Sequence, residues 1–157
     1  MKRISIATSL ALSALTFAPP PAKAAPPQFT TETVQLLNWF ESVGGTVHIN
    51  GPKCDVNRAY GIASNSTVWI CQKLHVDPGN LADTVRHELW HIAQFCNTGV
   101  ILDQHDPAVA ISVASDHGWE AGGYQPGHWH MEAEAHTAAA VLDEGDIKQA
   151  ITKYCLS

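Results

Sequence analysis

Positive charge is scarce in this chain and never clustered: nine Lys and Arg stand against 15 Asp and Glu in 157 residues, for a formal net charge of -6. An acidic chain without a basic run is poorly suited to nucleic acid or to anionic membrane surfaces, and both are excluded as partners. Long apolar runs are also missing. The most apolar stretch, residues 4–17, is too short to span a bilayer comfortably. The four cysteines, Cys54, Cys71, Cys96 and Cys155, contain no close CxxC pair, which argues against a thiolate zinc site. No internal repeat is present.

What the N-terminus does contain has a recognisable order. Lys2 and Arg3 give a positive start, an apolar run follows, and Ala22-Lys23-Ala24 has the small-x-small form of a cleavage site. This predicts a secretory signal peptide over 1–24, a single domain over 25–157, and a periplasmic or secreted location without stable membrane insertion after cleavage. Losing Lys2, Arg3 and Lys23 takes the formal charge from -6 to -9. Four cysteines in an oxidising compartment suggest two disulfides, with three possible connectivities. The expected pairs are Cys54–Cys71, stapling a local hairpin, and Cys96–Cys155, tying the C-terminus to a long helix.

Thr30 or Thr31 can cap a first helix with apolar positions at Val34, Leu37 and Trp39-Phe40, ended by Gly44-Gly45. Residues 46–50 alternate like a strand, Gly51-Pro52 reads as a turn, and residues 60–63 and 66–71 read as paired strands about Ser64-Asn65. A second helix should start near Asp77-Pro78-Gly79-Asn80, with Asn80 as its cap, and run to about Cys96. The pattern then breaks up, apart from a short helix at 107–114. A last helical region covers Met131–Glu144, breaks at Gly145 and resumes toward Tyr154.

The second helix carries the chemistry. At about 100° per residue, Leu81, Val85, Leu89, Ile92 and Cys96 make one core-facing stripe. His87 and His91 fall on the opposite side, four residues apart and one above the other. Two imidazoles held this way by one rigid element suit a metal ion, with Glu88 between them able to take a proton from a metal-activated water.

His87-Glu88-Leu89-Trp90-His91 resembles the HExxH motif of the zincin metallopeptidases. The downstream stretch Glu132-Ala133-Glu134-Ala135-His136 looks like the second helix of the gluzincin group, whose third ligand is a glutamate. The chain is also similar to small exported bacterial metallopeptidase-like proteins in which HExxHxxQxC is followed by ExEA. The resemblance covers residues 80–142 and departs from the usual gluzincin pattern at His136, where Asp or Asn is common. Gln94 and Asn97 occupy positions that exclude the metzincin pattern. The resemblance implies an α+β, zincin-like fold: a small, mainly antiparallel sheet, the HExxH helix and a C-terminal glutamate-bearing helix packed across it.

The activity expected is zinc-dependent hydrolysis of peptide bonds in a peptide or protein substrate, with one Zn2+ per chain. His87, His91 and Glu132 would hold the metal, with Glu134 the alternative third ligand, and Glu88 would act as general base and then general acid. Periodicity leaves the two glutamates open, because both flank the stripe Met131, Ala135, Ala138 and Leu142. His117, Tyr124, His128 and His130 are candidate donors to a developing oxyanion. Two alternatives come from other classes: a non-catalytic zinc-binding protein, and a metal-sequestering module using the nine histidines. Glu88 argues against both, because metal binding alone does not require it.

Overall fold

Three strands and six helices build an α+β domain in this computed structural model, which describes residues 25–102, 107–116, 118 and 126–157. The expected signal peptide lies outside the described residues. Helix α1 (Thr31–Ser42) begins at Thr30, whose hydroxyl accepts from the Thr33 amide at 3.2 Å. Its buried face is Thr33, Leu36, Leu37 and Phe40, while Val34, an expected core position, is exposed. Gly44 follows at φ 100°, a conformation that penalises any side chain.

The sheet differs from expectation. Strands β1 (Thr46–Ile49), β2 (Gly61–Ser64) and β3 (Thr67–Ile70) lie in the order β1-β3-β2. β2 and β3 form the predicted antiparallel hairpin, but β1 runs parallel to β3, with Thr46 opposite Thr67 and Ile49 opposite Ile70. The sheet is therefore mixed rather than mainly antiparallel. The cause lies in the segment between β1 and β2: Pro52 opens a short helix α2 (Pro52–Asn57), where a simple turn was expected. Pro is well placed there because its missing N–H is not needed in a first turn. The chain crosses over instead of doubling back, and β1 reaches the far side of β3. Val68 and Ile70 point into the core and are fully buried.

Helix α3 (Pro78–Asn97) runs beneath the sheet for about 30 Å. Asp77, not Asn80, caps it: the Asp77 carboxylate accepts from the Asn80 amide at 2.8 Å, with Pro78 just inside the helix. Leu81, Val85, Leu89 and Ile92 are buried as the wheel requires, each stabilising the fold by about 1.5–3 kcal/mol. Cys96, at the end of that stripe, is exposed. Trp90, Ala93 and Gln94 are buried as well, because α3 is packed on nearly every side.

Helix α4 spans Pro107–Asp116, and the expected last helical region is two helices, α5 (Trp129–Val141) and α6 (Glu144–Cys155). The break falls before Gly145: Asp143 and Asp146 form a reciprocal cap that starts α6 afresh. Arg86 on α3 ties the junction, donating to the Ala139 carbonyl and to Glu144, both at 2.9 Å, and pairing with Asp83. Both expected disulfides are present. Cys54–Cys71 joins α2 to the end of β3, rather than stapling a hairpin, and Cys96–Cys155 joins the ends of α3 and α6.

Candidate metal centre

Where α5 crosses α3, three side chains converge. The Nε2 atoms of His87 and His91 are 3.1 Å apart, and each lies 3.4 Å from Oε2 of Glu132. This group could hold a metal ion. A tetrahedral ion with ligands at 2.0–2.1 Å separates its donor atoms by about 3.3 Å, so three corners of that tetrahedron fit these distances.

The two histidines sit one turn apart on α3, so a single rigid element sets their spacing. Glu132 comes from the first turn of α5. Burial holds the His87 imidazole down at about 4, against its hydrogen bond to Glu132, which keeps the ring neutral as a ligand must be. Burial also acts to lower His91, but its bonds to Glu132 and Gln94 and the nearby Glu88 charge outweigh it and raise the ring. Burial acts to raise Glu132, yet hydrogen bonds from the two histidines hold its carboxyl down at about 2.

Gln94, which the sequence showed as a mismatch to the metzincin pattern and as the Gln of HExxHxxQxC without a role of its own, orients His91. Its side-chain nitrogen faces two acceptors, the Met131 carbonyl and Glu134 Oε1, each at 3.1 Å. Its oxygen therefore points at His91 Nδ1, 2.7 Å away, and that nitrogen must donate. His91 Nε2 is left as the ring nitrogen that faces Glu132. Spacing offers a signal for this role: a residue three positions after a ligand histidine lies on the same helix face.

Glu134 does different work. Its carboxylate is 1 % exposed and accepts from Trp90 Nε1 at 2.7 Å, from Gln94, and from the backbone amides of Ile101 and Leu102 at 2.9 and 3.2 Å. It is not one of the three converging groups, and it pins the chain leaving α3 onto α5.

Glu88 is buried beside the two histidines, in the wall of a cleft of about 840 Å³. Burial raises its carboxyl to about 8, with His91 pulling the other way and Glu132 adding to the rise. The cleft runs along β2, with Tyr60 to Ala63 on one side and Met131, Glu132 and His136 on the other. His136 lies one turn beyond Glu132, its ring centroid 6.4 Å from that of His87. Among the oxyanion candidates, His128 lines the cleft and is exposed. His130 is exposed on the first turn of α5 and is not among the lining residues, while His117 and Tyr124 lie outside the described residues.

Residues 74–156 match a family described as a domain of unknown function (DUF8637). The chain belongs to that family. The matched segment takes in His87, Glu88, His91 and Glu132 and leaves the sheet outside. No curated protein and no solved structure matches the chain.

Proposed function

We propose that this protein is an exported, zincin-like zinc metallopeptidase of the gluzincin type. The observation that carries the reading is the convergence of His87, His91 and Glu132 at tetrahedral spacing, with a fourth side chain, the non-ligand carboxylate of Glu88, buried beside them in an open cleft. Two imidazoles and one carboxylate are a donor set that suits zinc. When bound, zinc supplies Lewis-acid chemistry, lowering the pKa of a water toward about 7 and polarising a carbonyl.

The chain's own residues supply the rest. Glu88 accepts a proton from the attacking water and passes it to the departing amine, the two tasks open to a carboxyl buried beside the metal group in the wall of the cleft. The substrate class follows from the other wall. β2 is an edge strand among the described residues, and the Cys71 amide bonds the Tyr60 carbonyl at 2.9 Å. In that register Gly61 and Ala63 turn their N–H and C=O groups to the open edge. An extended peptide can pair there and lay a scissile bond across the metal group. Two disulfides suit the oxidising compartment that export implies.

Glu88→Gln is the deciding variant. Gln keeps the size of Glu but does not shuttle the proton near neutral pH. Turnover of a mixed unfolded-protein substrate should fall by about 10²–10⁴-fold with zinc still bound. Equal chelator-sensitive cleavage by wild type and variant would refute the mechanism. If the zinc-loaded wild type cleaves nothing in a broad peptide library, the non-catalytic zinc-binding reading replaces it.

A further inference from the structure

Strand β2 packs against helix α3, and at Gly61 the residue facing it is Glu88. A Cβ added at Gly61 would lie 2.5 Å from Cγ of Glu88, 2.6 Å from Oε1 and 2.8 Å from Cδ. Contacts this short are forbidden to real side chains. Gly61 does not have a positive φ, so the backbone does not call for glycine at this position. What the missing side chain provides is room for the Glu88 carboxylate.

Neither backbone is free to give way. Gly61 pairs with the fully buried Ile70, and its neighbour Tyr60 is held through its carbonyl by the Cys71 amide at 2.9 Å. Cys71 is itself bridged to Cys54. On the other side, Val85 and Leu89 of α3 are completely buried and fix the helix that carries Glu88. The movable part is the Glu88 side chain, which lines the cleft and can rotate into it.

We infer that Gly61 is a positioning residue: its bare Cα sets where the Glu88 carboxylate stands relative to the His87, His91 and Glu132 group. The functional consequence rests on the peptidase reading above, whereas the placement of Glu88 does not. The residue acts through Glu88, whose atoms are the nearest to its missing Cβ, so it should govern turnover rather than metal affinity.

The test is Gly61→Ala, examined two ways. A crystal structure of the variant should show the Glu88 carboxylate turned into the cleft by about 1 Å or more, with the β2 and α3 backbones unmoved; a misplacement of that size costs catalysis about 10²-fold. With zinc loaded, kcat should fall by about 10–10²-fold while KM and zinc affinity stay close to wild type. A β2 backbone that backs away with Glu88 unmoved overturns the inference, as does a loss of zinc affinity that matches the loss of kcat. Should the wild type cleave nothing, the peptidase reading fails, and the crystal structure alone decides whether Gly61 places Glu88. Gly61→Ala in a Glu88→Ala background guards against misfolding. Its melting temperature should match that of Glu88→Ala alone, because the clashing atoms are gone.

Discussion

His91 donates through Nδ1 to the Gln94 side-chain oxygen at 2.7 Å, and this one bond decides which ring nitrogen faces Glu132. Gln94 is in turn completely buried and fixed by its own two donations, so the orientation of a candidate ligand depends on an uncharged amide.

Gln94→Met keeps the length and removes the acceptor. His91 then loses its fixed tautomer, and zinc affinity should fall by about 10–100-fold, the usual effect of losing a group that orients a ligand. Competition with a chromogenic chelator measures this directly. Unchanged affinity would show that packing alone orients His91.

Glu132 and Glu134 should separate cleanly by the property each controls. Glu132→Ala removes a charged candidate ligand from a partly buried position, so zinc affinity should collapse. Glu134→Ala leaves Trp90 Nε1 and the amides of Ile101 and Leu102 without their acceptor. Each such buried group costs about 1–3 kcal/mol, so urea unfolding should show a loss on the order of 3 kcal/mol or more. If Glu134→Ala instead spares stability and abolishes zinc binding, the two roles are reversed.

The two disulfides should differ in worth because they close loops of different length. The sequence separations are 17 for Cys54–Cys71 and 59 for Cys96–Cys155. Chain entropy assigns about 3 kcal/mol to the shorter loop and about 4 kcal/mol to the longer. Paired Cys→Ala variants compared by denaturant unfolding should therefore show the greater loss at Cys96–Cys155. A greater loss at Cys54–Cys71 would mean that its grip on the residues flanking β2 outweighs loop length.

The phase of α3 is legible in the residues alone. Leu81, Val85, Leu89 and Ile92 mark one face of a regular helix, so the opposite direction of His87 and His91 follows from 3.6 residues per turn. Caps made by adjacent residues were legible for the same reason, although the start of α3 fell to Asp77 rather than Asn80 because Pro78 favours the first helical position. The expected cysteine pairs form, although Cys54–Cys71 joins α2 to the end of β3 and not two strands of a hairpin.

Relations between separate elements, by contrast, are set by packing. Glu132 and Glu134 lie two residues apart, so they point to nearly opposite sides of α5, and either could meet His87 and His91 until the rotation of α5 on α3 is fixed. The parallel pairing of β1 with β3 was hidden because period-two alternation carries no strand direction. Spacing puts Gln94 on the face of His91, but its partners and those of Gly61 stayed hidden for a related reason. An amide's partners and a glycine's neighbours come from distant parts of the chain, and packing alone brings Glu134 to one and Glu88 to the other.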